Sequence, residues 1–111
     1  MQYVFHITQK HQWQHAQELG YYSAPSLVTE GFIHLSTASQ VALTANRFFQ
    51  GCTGLVLLSV DPARLQAELR YDTIASGEIF PHLYGALNLD AVVEVLDFAP
   101  NQDGVFTSPF L

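Results

Sequence analysis

The chain has 111 residues, 49% hydrophobic and 13% charged, which suits one domain with an ordinary core and excludes the disordered class. Ten acidic residues face four scattered basic ones (Lys10, Arg47, Arg64, Arg70), giving a net charge of -6 and no basic stripe for a nucleic-acid partner. No apolar run approaches the ~20 residues that cross a bilayer, and the opening MQYVFHITQK lacks a secretory pattern. Cys52 has no second cysteine to pair with, so a soluble, cytoplasmic protein without disulfide or membrane is expected.

In chain order, YVFHI (Tyr3 to Ile7) is β-branched and aromatic and predicts a strand. Thr8 then offers an N-cap for a helix through Gln9 to Leu19, closed by Gly20 as a C′ residue. Trp13, Ala16 and Leu19 or Gln17 give that helix a narrow apolar stripe. GYYSAPSLVTEG, bounded by glycines and stiffened by Pro25, predicts a loop. FIHLS is a short apolar strand interrupted by His34, and the TASQ after it fits a capping box, with Thr37 as N-cap and Gln40 at N3. The next helix, ASQVALTANRFFQ, places Val41, Ala45, Phe48 and Phe49 on one face and ends at Gly51.

GLVLLSV is the most hydrophobic segment and predicts a central strand, after which Asp61 and Pro62 start a short helical turn. ELRYD, EIFPHLYG and AVVEVLDF predict three further strands. Pro81 argues that the second of these lies at an edge or carries a bulge. APNQDGVFTSPFL is turn-rich, either pinned to the body by Phe106 and Phe110 or mobile. Early alternation of strand and helix, followed by strands with short links, implies one α+β domain over residues 1–98 with a mixed or antiparallel sheet and two main helices. Residues 99–111 form a C-terminal tail.

Three histidines, His6, His34 and His82, fall in or beside predicted strands, where each ring needs partners for two nitrogens. His34 shares a sheet face with Ser36 and leads to a helix start, whose free N–H groups and dipole suit phosphate or carboxylate. Ser36 and Thr37 add hydroxyls there. Glu78, Phe80, His82 and Tyr84 share one parity and offer acid–base groups beside a phenol. No pair among His6, His34, Glu78 and His82 has a short metal-ligand spacing, and His11 and His15 stand i, i+4 without a carboxylate motif, so no metal ligand is assigned.

FHIT, APSLVTEGFIHLSTASQV, ANRFF, LVLLSVDPARL, LRYD and GEIFPHLYGALNLDAVV together resemble the bacterial family called domain of unknown function 952, over nearly the whole chain to about Phe98. That family carries no settled activity. More distantly, an aromatic–histidine pair near the N-terminus followed by FIHLS resembles the ADP-ribosyltransferase superfamily, especially its tRNA 2′-phosphotransferase branch. The resemblance implies an ADP-ribosyltransferase-like α+β fold and NAD as cofactor. It makes His6 the first-strand histidine that helps hold NAD, and His34 with Ser36 the second-strand pair. Glu78 falls near the place of a catalytic glutamate that stabilises an oxocarbenium ion and orients the nucleophile. The chain departs from that branch in two ways: Ile7 stands where it favours glycine, and only Arg47 and Arg70 are available as counterparts of its several phosphate-binding residues, which together with the net charge argues against a tRNA phosphate substrate.

The expectation is a pocket for NAD or a nucleotide-like ligand, with glycosyl or ADP-ribosyl transfer as its chemistry. Glu78, His34 and His82 are its catalytic candidates; His6, His34, Ser36, Thr37, Arg47 and Tyr84 are its cofactor-binding candidates. Two other readings stay open: a non-catalytic small-molecule sensor domain that keeps the pocket, and a metal-dependent hydrolase.

Overall fold

The computed structural model describes residues 2–110. Its elements are β1 (Val4–Gln9), α1 (Lys10–Leu19), β2 (Tyr21–Tyr22), α2 (Ser26–Thr29), β3 (Ile33–His34), α3 (Val41–Phe48), β4 (Leu55–Val60), β5 (Glu68–Thr73), β6 (Ile79–Tyr84), β7 (Leu87–Asn88) and β8 (Val92–Phe98). Short 3-10 turns precede α3, follow β4 and precede β8. Every strand pair is antiparallel, so the chain is a small α+β domain.

The segment LVLLSV is buried at every position and lies between β1 and β8. Such a strand has no polar face because both of its faces are covered. Val56, Leu58 and Val60 enter one core with Trp13, Ala16, Ile33 and Leu83. Leu55 and Leu57 enter a second with Phe5, Ile7, Val41, Ala45 and Phe106. The helices divide accordingly, α1 on the first core and α3 on the second.

A second sheet has the order β3-β6-β5, and β2 pairs with β7 as a separate two-stranded piece. One bridge joins the two larger sheets: Phe5 N–H donates to Ser36 O and Ser36 N–H to Phe5 O, both at 2.8 Å. The placement of Pro81 departs from the sequence reading, which puts it at an edge or bulge. It sits in β6, the middle strand, opposite Tyr71. Toward β3, its carbonyl accepts from Leu35 N–H at 3.0 Å, but Pro81 has no N–H to return. The β3–β6 ladder therefore stops after His34–His82, and FIHLS is a strand over Ile33–His34 alone.

Other differences have local causes. Thr8 is not the cap of α1, because the β1–β4 ladder continues to Gln9 and Gln9 is the N-cap. Leu19 is exposed, leaving Trp13 and Ala16 as the buried stripe, while Gly20 closes the helix at φ 90°. Tyr21–Tyr22 and Ser26–Thr29, read as loop, form β2 and α2. Phe48 does not join Val41 and Ala45 in the core; it is 74% exposed, since the end of α3 overhangs a cavity. The capping box at Thr37 and Gln40 is present, with Thr37 N–H donating to Gln40 Oε1 at 3.0 Å.

The C-terminal segment packs through Phe106, which is buried, and through Phe110, whose ring lies 4.8 Å from that of Phe5. The amide of Asn46 clamps Phe106 twice, accepting from its N–H at 2.8 Å and donating to its carbonyl at 2.9 Å.

Gly85 follows β6 where the chain passes Ala67, and a Cβ there would come 2.7 Å from Ala67 Cβ. Gly85→Ala is expected to cost about 1–3 kcal/mol by overpacking, with Ala67→Gly in the same chain recovering part of it. Urea unfolding midpoints at unchanged slope measure both effects.

Candidate functional site

Beyond the Phe5–Ser36 bridge the two sheets part. Because Phe5 turns both backbone groups toward Ser36, the odd residues of β1 face β3 and the even ones bond to β4. A continued ladder would pair Ile7 with His34. Instead the strands splay, and no described backbone group reaches the N–H or C=O of Ile7 on that side. The gap opens on a cavity of about 640 Å³ lined by Ile7, His6, Tyr22, His34, Ser36 and His82, among others.

The ring of His6 spans the gap. Its Nδ1 lies 2.6 Å from His34 O, a carbonyl that can only accept, so Nδ1 carries hydrogen. Its Nε2 lies 2.8 Å from Tyr22 Oη; Tyr22 is 2.9 Å from Thr8 Oγ1, and Thr8 is 2.9 Å from the Gln12 side-chain amide. Burial dominates the ring's ionisation and lowers its pKa from 6.5 to about 4, against the raising effect of the His34 carbonyl. With Gln12 presenting Oε1, as in the structure, Thr8 donates to Gln12 and Tyr22 to Thr8. The neutral ring, accepting at Nε2 from Tyr22, takes the reverse order with the Gln12 amide turned to present its N–H.

The opposite wall is the outer face of β6. His34 and His82 are a directly opposed pair, their rings 5.4 Å apart and edge-on. Phe32 stacks on His82 at 4.0 Å and 17°. His82 Nδ1 lies 2.8 Å from Asp72 Oδ2, and Tyr84 O–H donates to the same oxygen. The Tyr84 bond, then the His82 bond, hold the Asp72 carboxyl below its usual range, and the same bond raises the Tyr84 phenol. Arg70 lies 4.5 Å over the Tyr84 ring.

The family model described as "Protein of unknown function (DUF952)" matches residues 7–95. The chain belongs to this family. Three solved structures of protein CC0527 from Caulobacter crescentus are similar to it. The X-ray structure has 32% identity and a TM-score of 0.87, covering 95% of this chain and 93% of that one. A doubly substituted X-ray variant has 31% identity and a TM-score of 0.86 at the same coverage. The solution NMR structure has 33% identity and a TM-score of 0.82, covering 93% and 90%. No curated protein matches the chain.

In this DUF952 chain, His6, His34, Ser36, Arg47 and His82 line one cavity, although they come from four elements and a loop. Three other candidates stand apart from that lining. Thr37 is engaged in its own capping box, so the expected anion seat at that helix start is filled by Gln40. Tyr84 sits behind His82 on Asp72. Glu78 lies just before β6, where Ser76 and then Arg47 hold its carboxyl below the usual range, Arg47 at 3.0 Å. Ser36 Oγ donates to Thr44 at 3.1 Å, and His34 Nε2 pairs with Glu30 at 2.9 Å. Among the described residues, no three His, Cys, Asp or Glu side chains converge as a metal cage.

Sequence reasoning missed Tyr22, Thr8, Gln12, Phe32 and Asp72. Asp72 had a usable signal: Glu68, Arg70 and Asp72 alternate along β5 against Phe80, His82 and Tyr84 of β6. Tyr22 had none, lying in a segment that reads as loop.

Because the folded pKa of His6 is about 4 and the unfolded one 6.5, the unfolded chain takes up the proton first. That contribution to stability is complete above pH 6.5 and is lost as the pH falls toward 4, by on the order of 3 kcal/mol. Chemical unfolding across this range is expected to show the slope, and His6→Asn to flatten it. The depressed carboxyls of Asp72, Glu68 and Glu78 act in the same direction but at lower pH, below their ordinary values of 3.8 and 4.5.

Proposed function

We propose that this DUF952 chain binds NAD or a related nucleotide-like ligand in the cavity between its two sheets, as a pocket of ADP-ribosyltransferase type. The observation that carries the reading is the open backbone of Ile7 beside the locked ring of His6. An N–H and a C=O side by side on an extended edge complement a primary carboxamide, which presents one acceptor and one donor in the same plane. Nicotinamide carries such a group on a flat ring. The isoleucine is compatible with this role, since its side chain packs in the second core while the residue lines the cavity.

The rest of the lining suits the remainder of such a ligand. Aromatic faces of Tyr22, Phe80 and Phe48 offer stacking surfaces. Arg47 supplies a guanidinium for a phosphate, provided that it exchanges its Glu78 partner for the ligand. A volume of about 640 Å³ lies in the ordinary range for a small-molecule site.

One observation favours the second reading, a non-catalytic binding module. Glu78, the candidate for stabilising an oxocarbenium ion, is not in the cavity lining and is held by Arg47 and Ser76. Transfer chemistry at this site therefore needs another group.

Isothermal titration with nicotinamide, ADP-ribose and NAD tests the proposal. NAD is expected to bind below millimolar concentration, and absence of heat with all three would overturn it. Arg47→Gln is expected to weaken NAD and ADP-ribose about tenfold through loss of a charge-assisted contact, leaving nicotinamide unchanged. Nicotinamide release from NAD separates the readings: a module binds without releasing it, and loss of release in Glu78→Gln would restore that glutamate to the chemistry.

A further inference from the structure

We infer that His82 is the proton-accepting group of this cavity and that Asp72 is its positioning residue. The inference rests on the cavity being a ligand site, and not on the ligand being NAD.

The imidazole of His82 is fixed from three directions. Asp72 Oδ2 holds Nδ1 at 2.8 Å, the Phe32 ring lies on one face, and the paired strand brings His34 edge-on. Asp72 is itself fixed by the Tyr84 hydroxyl on the same oxygen. A carboxylate can only accept from a neutral imidazole, so Nδ1 carries the hydrogen and the lone pair resides on Nε2. His82 has only 5% of its side chain exposed, yet Nε2 has no hydrogen-bond partner among the described residues. No described buried side-chain nitrogen or oxygen lacks a partner, so Nε2 is not enclosed and opens on the cavity that His82 lines. His6 is the opposite case, with both nitrogens engaged inside the protein.

A buried imidazole with a defined tautomer, an immobilised plane and one free lone pair is equipped to take a proton from a bound hydroxyl or water. In that step the O–H bond breaks, its electron pair stays on oxygen, and the hydrogen forms a bond to Nε2. The oxygen then forms a bond to an electrophilic carbon of the ligand while the bond from that carbon to its leaving group breaks, the electron pair departing with that group. The imidazolium that results faces the Asp72 carboxylate, which offsets its charge. Asp72 touches no cavity atom in this scheme and acts through His82 alone.

The probe is diethyl pyrocarbonate, applied to the whole chain at neutral pH, with initial modification rates read for each histidine by peptide mass spectrometry. In the unaltered protein, His82 is expected to react at a rate comparable to exposed His15, and buried His6 to remain unmodified. Long-range proton–nitrogen spectra are expected to show His82 with hydrogen on Nδ1. Asp72→Asn is expected to slow His82 by on the order of tenfold and to mix its tautomers, leaving His15 unchanged; Asp72→Glu should recover part of the rate. A His82 as inert as His6 would overturn the inference, and so would an Asp72→Asn chain with unaltered rate and tautomer.

Added NAD distinguishes this inference from the ligand reading. Protection of His82 by NAD supports both. Fast, Asp72-dependent modification without protection keeps the base and removes NAD as the occupant. An inert His82 in a chain that binds NAD removes the base and keeps the ligand.

Discussion

A single missing N–H shapes the middle of this molecule. Pro81 accepts a hydrogen bond from Leu35 and cannot return one, so the ladder between β3 and β6 ends one pair after it starts. The chain beyond Leu35 then turns to Phe5 for a single bridge, and the first strand is left with an open edge past that point. The cavity opens where Ile7 of β1 and His34 of β3 part, and the His6 ring spans that gap. A continuous sheet of the same strands would pair Ile7 with His34 and leave no site.

The interior histidines show two ways of keeping an imidazole under cover. His6 is sealed, and a relay of Tyr22, Thr8 and Gln12 satisfies it whichever way the relay is polarised. Its burial makes it a weak base and a structural element that links the sheets. His82 has one nitrogen tied to a carboxylate and the other left to the cavity. The same residue type thus ties both nitrogens into the architecture in one strand and leaves one open to the cavity in another, and the difference lies in which neighbours reach the second nitrogen.

Much of the fold was legible because its signals are local. LVLLSV could be recognised as central from hydrophobicity alone, and the box at Thr37 and Gln40, the stop at Gly20 and the turn at Asp61–Pro62 are written in adjacent residues. Parity along β6 groups Phe80, His82 and Tyr84; Phe80 and His82 line the cavity, while Tyr84 bonds to Asp72 outside that lining. What could not be read depends on register and on tertiary crossing. Asp72 meets His82 only because β5 is aligned to β6 by the hairpin between them, and Tyr22 reaches His6 from 16 residues away. Glu78 was misleading for a related reason: alternation suggested a common face with His82, but the strand begins after it, so Arg47 and Ser76 decide where its carboxylate points. Pro81 was misread because edge strands are the usual place for proline, whereas here a middle strand tolerates it where its neighbour ends.

The clamp between Asn46 and Phe106 has a consequence for the order in which the molecule can assemble. The two residues are 60 apart in the chain, yet Phe106 completes the core on which Val41 and Ala45 of α3 rest. During synthesis, α3 leaves the ribosome early and must wait, with its apolar face bare, until nearly the whole chain has emerged. The core around α1 is no less dependent on late strands, since Leu83 and Leu87 belong to it. Such long-range closure makes folding slow relative to helical domains of similar size, and it leaves α3 as the surface most in need of protection while the nascent chain is incomplete.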